Sequence, residues 1–306
     1  MGRVSVDLYP LQSGVPLAEV RTFQKSLGGS PTNVAVAAAR LGRRAAVVTK
    51  VGDDGFGTYV RLALRSFGVD DRWVGTDPNL RTPIVFCELY PPDRFPLLFY
   101  REPRAPDLNL TPEELDREAI ASARILWTSG TGLSDEPSRS ATFAALAARP
   151  RGAVSIHDLD HRPCLWRHGG DPGRQARRAL EVATAVVGNA DEAEVVVGPG
   201  DPEEQARRLL DLGPDLAVVK LGPRGAVAAT RDGVVRVAGI PVEVVCGLGA
   251  GDAFGGALCH GLLAGWDLER TLRFANAAGA IVASRLACAD AMPTAEEVEA
   301  LIARSS

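Results

Sequence analysis

The chain has 306 residues, a formal net charge of −4, 46% hydrophobic residues and five scattered cysteines (Cys87, Cys164, Cys246, Cys259, Cys288). That length suits one α/β unit with a large core and an appendage. No basic block interleaved with aromatics, Cys-x-x-Cys pair, membrane-length apolar run or basic-plus-apolar leader occurs. Nucleic acid, zinc, a disulfide framework and a membrane are therefore poor fits, and a small-molecule partner in the cytoplasm is expected.

In chain order, residues 3–8 predict a short strand with Asp7 near its carboxyl end. Residues 11–25, with brief alternation at Val20, Thr22 and Phe23, suit an exposed strand off the main core. The run Gly28-Gly29-Ser30-Pro31-Thr32-Asn33 then opens a helix, with Ser30 as N-cap and Pro31 at its first position; Gly42 ends it. Structural need accounts for Ser30 and Pro31. Gly29 and Asn33 are candidate ligand contacts, although Gly and Asn are also ordinary turn residues.

Residues 45–49 predict a strand ending in Lys50, followed by a helix over 58–67, with Asp53 and Asp54 read as turn and cap residues. Alternating runs at 82–90 and 97–101 flank Pro91-Pro92-Asp93-Arg94 and predict an edge hairpin. From there strands (125–129, 153–159, 185–187, 216–220) alternate with helices (112–122, 138–148, 175–182, 191–197, 202–212). Such alternation implies a parallel sheet covered on both faces, whose ligands bind outside the carboxyl ends of its strands.

Asp7, Lys50, Asp158, Asp160, Asn189, Lys220 and Asp252 fall at such ends and are expected to line one crevice. Strand alternation points His157 and His161 away from Asp158 and Asp160, which disfavours a metal cluster there. On the plainer reading Asn189 caps the helix that begins there while Asp191 and Glu192 complement its dipole; on the functional one, Glu192 holds Mg²⁺ near a triphosphate through water.

The most informative stretch comes late. An apolar run at 242–245 predicts a strand, and Cys246-Gly247-Leu248-Gly249-Ala250-Gly251-Asp252 leads from it into a small-residue helix. The amides of Gly249, Ala250 and Gly251 at a helix start make an anion cradle, and Asp252 beside them is placed to take a proton. The plainer reading makes Asp252 a helix cap. Neither a Gly-x-x-x-x-Gly-Lys-Ser/Thr loop nor a Rossmann fingerprint is present.

Together these residues resemble the ribokinase-like (PfkB) sugar kinase family over essentially the full length. Gly28 to Asn33 resembles its N-terminal signature and Gly249 to Asp252 its C-terminal one; Asn189-x-x-Glu192 matches its magnesium motif and Leu221-Gly222-x-x-Gly225 its nucleotide-side loop. The resemblance implies a three-layer α/β/α fold with a mostly parallel central sheet. It implies a single kinase domain over 1–306, with lid segments at about 11–25 and 80–102 that also make a homodimer contact.

By the same resemblance Asp7, Gly28, Gly29 and Asn33 bind substrate, and Asp252 is the base beside Gly249, Ala250 and Gly251. Asn189, Lys220, Gly222, Gly225 and Asn276 bind ATP, and Glu192 binds Mg²⁺. Residues 2–10, 99–102, 160–163 and 290–294 are similar to the branch that acts on 5-dehydro-2-deoxygluconate in inositol catabolism. Kinases of 2-keto-3-deoxygluconate come next by pattern, then neutral-sugar (fructose, ribose) kinases, and a non-catalytic binder is the different-class alternative. An acid substrate needs a cation, for which Arg101 and Arg162 come first and Lys50 third.

Cys246 and Gly247 stand where many members carry Asp-Thr, which puts a monovalent-cation site in question. Asp160 replaces the Asn of the family's Asp-x-Asn-x-Arg pattern and changes one polar contact near the phosphates.

Overall fold

The computed structural model describes residues 1–166 and 170–305. The chain forms two compact units, one of Arg3–Pro106 with Ile240–Ser306 and one of Met1–Gly2 with Asp107–Gly239.

The first unit begins with β1 (Ser5–Pro10), β2 (Phe23–Gly28), α1 (Ser30–Arg40), β3 (Ala45–Ala46) and β4 (Thr49–Gly52). It continues through α2 (Gly55–Ser66), β5 (Val69–Asp70), β6 (Val74–Asp77), β7 (Ile84–Cys87) and β8 (Leu97–Tyr100). A four-stranded sheet has the order β2-β1-β7-β8, with β1 antiparallel to β2 and parallel to β7. The expected hairpin is β7 and β8, which pair antiparallel. The short strands pair as β3-β5 and β4-β6.

Register puts Leu8, Lys25, Phe86 and Leu98 on one face of the four-stranded sheet and Asp7, Ser26 and Val85 on the other. On the first face Phe23, Phe86 and Tyr100 form an edge-to-face row with centroids 5.4 Å apart. Leu98 and Tyr100 there remain 47% and 58% exposed.

The second unit runs α3 (Arg117–Ser122), β9 (Ile125–Ser129), α4 (Ser138–Ala147), β10 (Val154–Asp158), α5 (Pro172–Leu180) and β11 (Ala185–Asn189). Then come α6 (Ala190–Val197), α7 (Pro202–Leu210), β12 (Leu216–Lys220), β13 (Ala226–Thr230) and β14 (Gly233–Val237). Its sheet has the order β14-β13-β12-β11-β10-β9, parallel from β9 to β12 as the alternation predicts. The antiparallel pair β13-β14 at its edge is not foreseen, because alanines such as Ala228 and Ala229 blur the β pattern. Leu180 of α5, Val196 of α6 and Leu209 of α7 pack with Val186, Val219 and Val227 of the sheet. The chain returns to the first unit with α8 (Ala250–Ala264), α9 (Leu268–Ala283) and α10 (Ala295–Ser305). No described helix is long and apolar enough to cross a membrane.

Several expectations are corrected. Residues 242–245 form no strand, although the preceding turn still leads into α8. Asp7 lies inside β1 rather than near its end. The strand expected over 45–49 is split into β3 and β4, so Lys50 lies within a strand, its stem packed against Gly75 of β6. Ser30 is the first helical residue and Gly29 the cap. Gly29 has φ +98°, and a Cβ there would meet the Arg3 carbonyl oxygen at 2.5 Å. Only glycine lets the chain pass from β2 into α1 at that point.

Candidate active site

α1 and α8 cross where both are small: a Cβ on Gly256 would lie 2.4 Å from the Ala37 Cβ. One turn earlier on each helix stand Asn33 and Asp252, and the close crossing brings them together. Asn33 Nδ2 donates to Asp252 Oδ2 at 2.9 Å. Asn33 is 2% exposed, and its Oδ1 has no hydrogen-bond partner among the described residues. A buried acceptor of this kind calls for a donor, such as a ligand hydroxyl.

Asp252 is the third residue of α8, whose N-cap is Gly249. First-turn amides of a helix have no intrahelical acceptor and sit at the positive end of its dipole. Here those amides belong to the Gly249 to Gly251 turn, next to the Asp252 carboxylate. Gly249 is left-handed at φ +83°, and a Cβ on it would lie 2.7 Å from Cys288 Sγ. The turn therefore depends on glycine and is seated on Cys288.

Asp7 is the second carboxylate of the site. It is 8% exposed, accepts from Ser5 Oγ at 2.6 Å and from the Tyr9 hydroxyl at 3.4 Å. The Tyr9 hydroxyl in turn lies 2.6 Å from Cys288 Sγ. Burial pushes Asp7 up to about 6; Ser5, Arg3 and Tyr9 oppose the shift and the charge of Asp252 adds to it. Burial also lifts the Cys288 thiol well above its usual range, so it stays protonated beside the Tyr9 hydroxyl. Gly28 makes the room: a Cβ on it would lie 2.0 Å from Asp7 Oδ1.

In the second unit the expected strand-end residues gather at β10 to β12. Asp158 Oδ1 accepts from the Asp160 amide at 3.1 Å and lies 3.9 Å from Lys220 Nζ. Asp160 has φ +27°, a left-handed value that Asp tolerates, and receives Thr131 Oγ1 at 3.0 Å. Arg162 Nε lies 3.3 Å from Asp160 Oδ1. Asp160 is thus ion-paired with this guanidinium without a hydrogen bond at Nε, and that pairing competes with a substrate carboxylate for Arg162.

Asn189 and Glu192 form a reciprocal capping box, each side chain accepting the other's amide at 2.8 Å. The plainer reading of this pair is therefore realised. The second Glu192 oxygen has no hydrogen-bond partner among the described residues. One buried carboxylate with one free oxygen fits a water-bridged Mg²⁺, which takes few protein ligands. No described group of three His, Cys, Asp or Glu side chains is placed to hold a metal. His157 is instead buried, bonded to Thr128 Oγ1 at 3.0 Å and pushed down to about 4 by burial.

The remaining expected residues are more dispersed. Gly222 and Gly225 bracket a tight turn after β12, where the Leu221 amide donates to the Gly225 carbonyl at 2.8 Å. Asn276 is half-buried on α9, and Arg101 is buried just past β8. Cys246 packs with Tyr9, Cys87, Ala287 and Cys288, and burial pushes its thiol up to about 11. A protonated thiol and a glycine do not suit a hard monovalent cation, which prefers carboxylate and carbonyl oxygens.

Ser5, Tyr9, Cys288, Ser26 and Asp290 belong to this neighbourhood and were missed. Period-two spacing from Asp7 signals Ser5 and Tyr9. Nothing local in the sequence signals Cys288, and Asp290 is marked only by the branch-like stretch 290–294 without a role; both arrive from more than 260 residues away.

The sequence model of the family described as pfkB family carbohydrate kinase matches residues 1–295. A Bacillus subtilis protein called 5-dehydro-2-deoxygluconokinase is 34% identical, covering 100% of this chain and 95% of its own. A Geobacillus kaustophilus protein of the same name is 34% identical, covering 99% and 92%. Among solved structures, an E. coli protein described as a ribokinase II, in complex with ATP and Mg²⁺, superposes with a TM-score of 0.90 at 24% identity, covering 99% and 97% of the two chains. A Vibrio cholerae fructokinase with fructose, ADP and calcium bound has a TM-score of 0.87 at 29% identity, covering 98% and 97%.

Proposed function

The chain belongs to the pfkB family of carbohydrate kinases and has a ribokinase-like α/β fold, and from that premise we propose that it phosphorylates the terminal hydroxyl of a keto-deoxy sugar acid at the expense of ATP. The acceptor we favour is 5-dehydro-2-deoxy-D-gluconate, the substrate in the name of the 34%-identical relatives. The observation that carries the reading is the contact of Asn33 with Asp252 at the amino end of α8, with Asp7 beside it.

In the proposed reaction Asp252 takes the proton of the acceptor hydroxyl as its oxygen bonds to the γ-phosphorus. The bond from that phosphorus to the β-phosphate bridging oxygen breaks, and ADP leaves. The Gly249, Ala250 and Gly251 amides receive the charge that spreads over the phosphoryl oxygens. Asp7 and Asn33 hold acceptor hydroxyls, and Gly28 and Gly29 are assigned to the acceptor with them, Gly28 by leaving room for the Asp7 carboxylate.

Asn189, Lys220, Gly222, Gly225 and Asn276 are assigned to the nucleotide, and Glu192 to Mg²⁺ through water. Bound Mg²⁺ would neutralise phosphate charge. Arg101 is assigned to the substrate carboxylate ahead of Arg162 and Lys50. We also assign the chain one kinase domain whose lid segments pair two copies through the Phe23, Phe86, Leu98 and Tyr100 face, since apolar surface of this kind marks an interface.

The test is ADP release from ATP and Mg²⁺ across 5-dehydro-2-deoxygluconate, 2-keto-3-deoxygluconate, fructose and ribose. The first acid should give the highest kcat/KM. A neutral sugar ahead of both acids would overturn the substrate assignment, and no ADP above background with any of them would overturn turnover itself.

A further inference from the structure

A third carboxylate stands on the face of the sheet that carries Asp7. Strand pairing sets Asp7 opposite Ser26, so the two side chains share that face with Cβ atoms about 5 Å apart. Ser26 is fully buried, and its hydroxyl donates to Asp290 Oδ2 at 2.5 Å. That bond brings in a residue 264 positions away, from the turn Ala289–Ala291.

Asp290 caps nothing, because that turn begins at Cys288 without a side-chain hydrogen bond. It forms no ion pair among the described residues, and its Oδ1 has no hydrogen-bond partner among them. The residue is exposed, so this oxygen is open to a ligand. Tyr59 of α2 marks the neighbouring wall. Burial, then Asp290 and Asp7, push its hydroxyl up to about 12, and the Lys25 ammonium lies 3.8 Å from its ring centroid.

We propose that Asp290 is a specificity-determining residue that accepts a hydrogen bond from a substrate hydroxyl next to the one held by Asp7, and that Ser26 positions it. This rests on the sugar-acid reading above. A carboxylate with one oxygen fixed by a buried serine offers the other in a defined direction, which suits a hydroxyl donor. The same charge repels the substrate's carboxylate and so orients the chain with its acid group away from β2.

Steady-state kinetics on Asp290→Ala, Ser26→Ala and the double variant decide it. Asp290→Ala should raise KM for 5-dehydro-2-deoxygluconate about 10- to 100-fold, the scale of a hydrogen bond to a charged group, with the loss in KM rather than kcat and KM for ATP unchanged. Ser26→Ala should raise the same KM less, and the double variant should be no worse than Asp290→Ala alone, because the serine acts through the carboxylate. An unchanged KM in Asp290→Ala, additive losses, or a parallel fall in kcat and thermal stability would each overturn the assignment. A wild-type protein inactive on every acid would instead sink the sugar-acid reading.

Discussion

Replacing Asp7 by Asn should impair the protein while its stability gains on wild type as pH rises. Burial raises the Asp7 carboxyl from 3.8 to about 6. A carboxyl raised in the fold binds its proton more tightly there than in the unfolded chain, so its ionisation costs stability as pH rises. The cost begins near the unfolded value, grows through the interval between the two values and is complete above the folded one. At about 1.4 kcal/mol per pKa unit, the full cost is about 3 kcal/mol, of which about 2 kcal/mol develops between pH 4.5 and pH 8. Asn keeps the shape and removes the charge. Urea unfolding of both proteins across that range should therefore show Asp7→Asn gaining on wild type by about 2 kcal/mol from the acidic to the alkaline end. KM for the sugar acid should rise in the variant at pH 8, because a charged acceptor for a substrate hydroxyl is lost. A stability difference independent of pH would refute the claim that Asp7 is held ionised against its environment.

Gly256→Ala places a methyl against Ala37 one turn from the Asn33–Asp252 contact. Overpacking costs about 1–3 kcal/mol against a helix-propensity gain of about 1 kcal/mol, so thermal unfolding should show a net loss, and kcat should fall with it. Arg101→Ala should raise KM for the sugar acid about 10- to 100-fold while leaving KM for fructose nearly unchanged; equal losses would remove Arg101 from the carboxylate role. Leu98→Glu with Tyr100→Glu puts charge on the exposed sheet face, and light scattering should then report monomers where wild type gives dimers.

What was legible in the sequence follows from how local each signal is. The strands 125–129 and 216–220 were placed without error, because continuous apolar runs bounded by turns specify buried parallel strands locally. The turn into α8 was legible because glycines ahead of an Asp declare a backbone geometry. Val242 to Val245 have strand character, yet Val245 and Cys246 donate to the Ala283 carbonyl and the segment joins no sheet. Tertiary context overrode propensity there. Asn33 and Asp252 were each identified alone, but their contact depends on the close helix crossing at Ala37 and Gly256, which no single stretch encodes. Likewise Asp160 was seen as a substitution, while its hold on Arg162 becomes visible only when β10 and the loop after it are folded.

The central claim is that Asp252 takes the proton of the acceptor hydroxyl at the amino end of α8. Single-turnover phosphoryl transfer by Asp252→Asn, with ATP, Mg²⁺ and 5-dehydro-2-deoxygluconate all saturating, tests it most directly. The account predicts a rate about 10²- to 10⁴-fold below wild type with both ligands still bound. Transfer at a rate close to wild type would contradict it.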